Sequence, residues 1–237
     1  MEKTEATTFQ TTRWSMVRRA VDEGDPQAAE ALAQLCQLYW RPLFVFCYGN
    51  GRSRADAEDL TQGYFTQLLA RDSLRLADPM RGKFRTFLLA SFKNYLTDVH
   101  RQGQAAKRGR GATHVPFDLD LSEGCLIEHA TEAEPERAYD RQWARDLVQR
   151  ATTCLREEYT AGGKGEWFEN VAGENAGACS YQELAARFGS TEDAVKSFAL
   201  RVRKRFRMLL EREIADTVAS PDVVQAEMAY LAELLRG

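Results

Sequence analysis

The sequence lacks the features that mark membrane, secreted and disulfide-stabilised proteins. None of its apolar runs approaches the ~20 residues that a bilayer-spanning helix needs. Its five cysteines are an odd number and include no C-x-x-C pair, which argues against a disulfide framework and against a zinc site. The first residues are acidic and contain no apolar segment typical of a secretory signal. We therefore expect a cytoplasmic protein with reduced thiols.

Patterns typical of catalysis are also missing. The three histidines have no metal-ligand spacing, and the sequence contains no glycine-rich phosphate loop or nucleophile motif. Asp56, Glu58 and Asp59 form an acidic cluster that would suit a metal-dependent nuclease. Such close positions on a helix do not converge on one metal ion, as positions i and i+4 can. We expect a protein that is not an enzyme and that uses no metal or other cofactor.

Charge is distributed unevenly along a chain of 237 residues whose net charge is only −3. Residues 81–110 carry a net charge of +7, residues 118–136 carry −7 without any Lys or Arg, and residues 190–212 carry +4. Basic segments favour a polyanionic partner such as nucleic acid. Because the whole chain is slightly acidic, we expect its DNA binding to be weak without a partner protein.

Hydrophobic periodicity predicts helices along most of the chain, and no β-hairpin signal is convincing, so the expected fold class is all-α. Pro42 is expected to end or kink the helix that begins near Pro26. The other predicted helices lie at 53–69, 84–101, 136–159, 167–171, 180–188 and 191–213.

The same patterns divide the chain into four parts. An N-terminal helical domain at 1–115 is followed by an acidic linker at 116–135, which has few periodic apolar residues. A second helical domain at 136–215 and an amphipathic tail at 216–237 complete the chain.

The second domain contains the sequence features of a helix-turn-helix. Ser180 and Glu183 form a capping box before a short apolar run, and Gly189 is placed to end that helix in a left-handed turn. Ser190 or Thr191 then begins a longer basic helix. In this motif the second helix lies in the major groove and reads base edges. The residues predicted to contact DNA are Asp193, Lys196, Ser197, Leu200, Arg201, Arg203 and Lys204.

Two upstream segments, together with this motif, resemble a known family. Residues 57–65 (AEDLTQGYF) and 84–101 (FRTFLLASFKNYLTDVHR) resemble region 2 of bacterial RNA polymerase sigma factors of the sigma-70 family. Residues 180–213 resemble region 4 of the same family. Relative to that family, the glycine-rich stretch at 162–177 is predicted to be an insertion. The most similar group is the extracytoplasmic-function (ECF) type, which keeps only regions 2 and 4.

The resemblance implies a promoter-specificity subunit with core RNA polymerase and promoter DNA as its partners. It also leaves an anti-sigma factor or another regulator open as a partner. The helix-turn-helix would read the minus-thirty-five element. The residues implied in core-polymerase binding are Glu58, Asp59 and Gln62. The residues implied in minus-ten DNA binding are Lys93, Asn94, Thr97, Asp98 and Arg101.

Several alternatives stay open from sequence alone. A stand-alone helix-turn-helix regulator would not need the segments at 57–65 and 84–101. The acidic linker is either a solvated tether or a mimic of nucleic acid in a basic channel of the polymerase. Phe87 and Tyr95 are expected in the core, whereas Phe92 is open between core packing and base stacking. The tail is expected to pack on the second domain or to engage a regulator.

Overall fold

The computed structural model describes residues 14–22, 24–70, 73–106, 134–215, 217–218 and 221–236. These residues are helical and contain no strand, so the all-α prediction is confirmed for this part of the chain. The acidic linker lies mostly outside the described residues. The helices are α1 (Trp14–Ala20), α2 (Ala28–Gly49), α3 (Arg54–Ala70), α4 (Phe84–Ala106), α5 (Pro135–Ala161), α6 (Gly165–Val171), α7 (Tyr181–Arg187), α8 (Glu192–Ala215) and α9 (Val224–Leu234).

The chain divides into two compact units whose limits differ from the expected domains. The first unit contains residues 12–144 together with 215–237, and the second contains residues 145–214. The first ten residues of α5 and the whole tail therefore belong to the first unit, not to the helix-turn-helix unit. Within the described residues, no helix combines the length and apolar character that crossing a membrane requires.

Helix α2 passes through Pro42 without ending there. Pro42 is buried, and Trp40, Phe44 and Tyr48 stack in a row along the helix, with ring centroids 5.3 and 5.9 Å apart. Proline removes one backbone hydrogen bond and disfavours a helix interior. We attribute the continuous helix to the burial of Pro42 and to this row of stacked rings.

Helices α3 and α4 approach each other closely in the first unit. Ser53 Oγ accepts a hydrogen bond of 3.1 Å from the Asp56 backbone N–H and so caps the start of α3. A side chain at Gly63 would collide with the hydroxyl of Tyr95, so only glycine leaves room for this ring. Tyr64 packs on Phe92 with ring centroids 5.0 Å apart. This packing fixes which faces of the two helices remain accessible.

The tail helix α9 packs into the first unit through buried charges. Arg85, only 4% exposed, pairs with Asp140 of α5 at 2.9 Å and with Glu227 of α9. Lys83 pairs with Glu227 as well, and the hydroxyl of Tyr230 donates a 2.7 Å hydrogen bond to Asp140. The tail is thus joined to α4 and α5 of the first unit, whereas we expected it on the second domain or on a regulator.

In the second unit, helix α6 is part of the hydrophobic core. Phe168 is buried with Leu155, Phe198 and Val202, and the ring of Trp167 packs on this cluster. Helix α6 lies inside the glycine-rich stretch that was predicted to be an insertion. The segment therefore contributes core side chains in addition to its loops, a role that the adjacent aromatic residues Trp167 and Phe168 indicate in retrospect.

Candidate nucleic-acid interface

The predicted helix-turn-helix is built as its sequence signals require. Ser180 Oγ accepts a 3.2 Å hydrogen bond from the Glu183 backbone N–H, and the Glu183 carboxylate accepts one of 2.7 Å from the Ser180 N–H. The second bond lowers the pKa of Glu183 below its usual value. This reciprocal pair is the capping box, and it defines where α7 begins.

The turn between α7 and α8 depends on Gly189. Its φ of 57° lies in the left-handed region, which only glycine adopts without a penalty. The Ser190 N–H bonds to the Ala185 carbonyl at 2.9 Å, and the Gly189 N–H bonds to the Ala186 carbonyl at 3.4 Å. These two bonds form a Schellman motif, which ends the helix and redirects the chain.

Thr191 begins the second helix of the motif. Its hydroxyl accepts a 3.2 Å hydrogen bond from the Ala194 N–H, which selects Thr191 over Ser190 as the N-cap. Val195, Phe198 and Val202 are buried on the inner face of α8, at most 1% exposed. These three side chains pack against the core of the second unit. Helical geometry therefore places the residues between them in sequence on the opposite, outward face of α8.

That opposite face is exposed at every position predicted to contact DNA. Leu200 is 66% exposed, a high value for a leucine in a well-packed helix. All seven side chains fall in the exposed class: Asp193, Lys196, Ser197, Leu200, Arg201, Arg203 and Lys204. The inner and outer faces of α8 therefore follow the prediction.

Several cations on this unit are held by neighbouring groups. Lys196 pairs with Glu192 at 2.7 Å, which raises the pKa of the lysine, and Arg203 donates a 2.9 Å hydrogen bond to the hydroxyl of Tyr181. The guanidinium of Arg201 lies 5.9 Å from the Phe198 ring centroid. Exposed ion pairs contribute at most about 1 kcal/mol, so a phosphate competes readily for these cations.

Helix α3 presents its predicted polar residues away from the core. Ala57, Thr61 and Tyr64 are buried on the inner face. Asp59 is exposed, Gln62 is half-buried, and the Glu58 carboxylate pairs with Arg54 at 2.9 Å. Leu69, near the C-terminal end of the helix, is 46% exposed.

Helix α4 separates apolar and polar residues in the same way. Phe92 is fully buried, so the alternatives left open for it are decided in favour of core packing. Phe87 and Tyr95, both expected in the core, are half-buried. The predicted minus-ten residues Asn94, Thr97, Asp98 and Arg101 are exposed, and Lys93 is half-buried.

A groove of about 510 Å³ lies beside Lys93 and Thr97 of α4. The C-terminal end of α2 and the turn after it, including Asn50 and Arg52, form its other wall, and Glu136 at the start of α5 also lines it. The amine of Lys93 bonds to the Glu136 carboxylate at 2.6 Å and lies 5.4 Å from the Phe46 ring centroid. The hydrogen bond from Lys93 lowers the pKa of Glu136.

Arg85 belongs to the basic segment at 81–110, but its buried position gives it a role other than DNA binding. Burial alone would lower the pKa of Arg85, but the adjacent Asp140 and Glu227 carboxylates keep it above the usual value. The guanidinium also lies 4.8 Å from the Trp143 ring centroid. Arg85 is therefore a structural cation of the first unit.

Comparisons with known proteins leave the family open. No family model matches the chain, and neither the curated proteins nor the solved structures contain a match. Among the residues that the structure describes, no group of three or more His, Cys, Asp or Glu side chains is arranged to hold a metal ion.

Proposed function

We propose that this chain is a sigma factor of the ECF type, which binds core RNA polymerase and directs it to promoters. In this proposal the chain is not an enzyme, since the polymerase supplies the chemistry of RNA synthesis. The observation that carries the proposal is the capped α7–Gly189–α8 motif with all seven predicted DNA-contacting residues exposed on one side of α8.

The α7–α8 motif would read the minus-thirty-five element. A major groove admits one helix, and Lys or Arg side chains on that helix pair with guanine edges. Leu200 lies four residues after Lys196 and three residues after Ser197, which places the three side chains on one face of α8. Arg203 and Lys204, about two turns further from Thr191 than Lys196, are positioned for phosphates of the DNA backbone.

The first unit would carry the other two interactions. The exposed side of α4, with Asn94, Thr97 and Arg101, is proposed to bind the minus-ten element. The polar side of α3, with Asp59 and Gln62, is proposed to bind the clamp helices of core polymerase. A stand-alone helix-turn-helix regulator would have no use for these two surfaces, so polymerase binding distinguishes the two functions.

The experiment is a binding assay between the full chain and purified bacterial core RNA polymerase, followed by size-exclusion chromatography. We expect a stable complex that weakens when Asp59→Asn is combined with Gln62→Ala. Glu30→Gln is the control, because it neutralises an acid of α2 whose carboxylate bonds to Gln34 at 3.1 Å, outside the proposed surface. Absence of a complex, together with specific binding of promoter-sized DNA, would favour the stand-alone regulator.

A further inference from the structure

The groove between α2 and α4 brings together two cations from segments far apart in sequence. Lys93 comes from α4, as does the neighbouring Thr97, whereas Arg52 comes from the turn between α2 and α3. Arg52 lies outside both basic segments and is not among the residues predicted to bind a partner. The fold places it on the same groove as two predicted minus-ten residues.

An anionic group of the chain already lies in this groove. The Glu136 carboxylate accepts a charge-assisted hydrogen bond of 2.6 Å from Lys93, and its pKa is lowered by this bond. Arg52, Lys93 and Glu136 are the charged residues of the groove lining, so the lining has a net charge of +1 with Glu136 in place. Moving Glu136 aside would leave two cations facing the same space.

The rest of the lining adds no charge. The Thr97 hydroxyl, which also lines the groove, donates a 2.9 Å hydrogen bond to the Lys93 backbone carbonyl. Cys47 also lines the groove, and burial raises the pKa of its thiol to about 11, so it stays neutral and adds no competing negative charge at physiological pH. A phosphate diester carries one negative charge, as the Glu136 carboxylate does.

We propose that this groove binds a backbone phosphate of promoter DNA through Arg52 and Lys93, and that Glu136 occupies the place of this phosphate in the free protein. The inference rests on the proposed function, since Lys93 and Thr97 are its minus-ten residues. Glu136 then acts as an internal competitor, and DNA must displace its carboxylate from Lys93. Competition of this kind lowers the affinity of the free chain for DNA without changing the contacts of the bound state.

The first test measures the affinity of the full chain for a short fluorescein-labelled single-stranded DNA of mixed sequence, by fluorescence anisotropy over a range of salt concentrations. Arg52→Gln is expected to weaken binding and to reduce the salt slope by about 0.7, the value for one phosphate of a single strand. Arg19→Gln is the matched control, because it removes the same charge from α1, where Arg19 pairs with Asp25 at 3.2 Å. Equal slopes for the two variants would overturn the proposed phosphate contact.

The second test concerns the competitor. Glu136→Gln is expected to strengthen binding by about two- to five-fold, the range for release of an exposed ion pair. Glu134→Gln makes the same change in net charge two residues away and does not line the groove, so it should change binding less. In a Lys93→Gln background the gain from Glu136→Gln should disappear. An equal gain from both glutamate variants, or a gain that persists without Lys93, would refute the competition.

These outcomes are separate from those of the proposed function. A chain that binds core polymerase, but whose affinity for DNA is unaffected by Arg52→Gln and Glu136→Gln, would keep the sigma-factor function and lose the groove. A chain that binds the oligonucleotide through Arg52 but does not bind polymerase would keep the groove and lose the sigma-factor function. Failure to bind the oligonucleotide even at low salt would reject the phosphate site itself.

Discussion

Arg85 and Glu227 form a buried ion pair that joins helix α4 to the tail helix α9, with both residues at most 4% exposed. Asp140 is the second partner of Arg85, and Lys83 is the second partner of Glu227. Arg85 and Glu227 each therefore have two oppositely charged neighbours, and these ion pairs offset the cost of removing the two charges from water. The tail is an integral part of the first unit because of this network.

Glu227→Ala should destabilise the first unit, because it leaves Arg85 buried with only one carboxylate. Removing one partner of a buried ion pair costs about 3–5 kcal/mol of stability. Because Asp140 still pairs with Arg85 in this variant, we expect a loss of about 3 kcal/mol, at the lower end of that range. Urea unfolding followed by circular dichroism measures the change. Glu233→Ala removes an exposed acid from the same helix and should shift the free energy of unfolding by less than about 0.5 kcal/mol. A small effect of Glu227→Ala would mean that the tail is not held by this pair.

The hydroxyl of Tyr230 makes stability depend on pH in the alkaline range. Burial and the hydrogen bond to Asp140 raise the pKa of Tyr230 from 10.0 to about 12. A pKa that is higher in the folded state means that the neutral hydroxyl stabilises the fold below pH 10, and that this contribution is lost between pH 10 and 12. The stability difference between the wild type and Tyr230→Phe should therefore shrink across this interval. A difference that stays constant up to pH 12 would contradict the hydrogen bond to Asp140.

Gly189→Ala should destabilise the second unit through the backbone alone. No atom lies within 4 Å of a Cβ at this position, so the cost comes from the left-handed φ of 57° and amounts to about 1–2 kcal/mol. Gly189→Asn should cost less, since asparagine tolerates this conformation better. Thermal unfolding of the wild type and the two variants measures their order of stability. Equal stability of the alanine variant and the wild type would show that the turn relaxes to another conformation.

Arg201→Ala and Lys204→Ala should affect DNA binding in different ways. If Arg201 reads a base edge, its loss reduces discrimination at one position by about 1–3 kcal/mol. If Lys204 contacts a phosphate, its loss lowers the affinity for all duplex sequences alike and reduces the slope of log affinity against log salt concentration by about 0.9. Selection from a randomised duplex library by each variant, followed by binding at several salt concentrations, distinguishes these outcomes. Identical sequence preferences for the wild type and Arg201→Ala would exclude Arg201 as a reading residue.

The helices and their inner faces could be predicted from the sequence because the signals are local. The Ser180 capping box, Gly189 and the apolar spacing of Val195, Phe198 and Val202 each act within a few residues, and the structure follows them. Pro42 shows the limit of such signals, since it is buried inside a continuous helix, between rings that stack along that helix, despite the helix-breaking preference of proline.

The contacts between distant segments could not be predicted. In the sequence nothing distinguishes Arg85 from the other cations of the segment at 81–110. Only the fold brings Asp140 and Glu227 into contact with it. Arg52 and Glu136 join Lys93 in one groove for the same reason. Charge counted along the sequence therefore indicated a polyanionic partner, but it did not separate the structural cations from those that remain accessible.

The most direct test of the central claim is run-off transcription with bacterial core RNA polymerase and genomic DNA fragments, with and without the full chain. Our account predicts transcripts with defined 5′ ends that appear only when the chain is added, and that decrease when Arg201→Ala replaces the wild type. Initiation by the core enzyme at the same positions and with the same yield in the absence of the chain would contradict it.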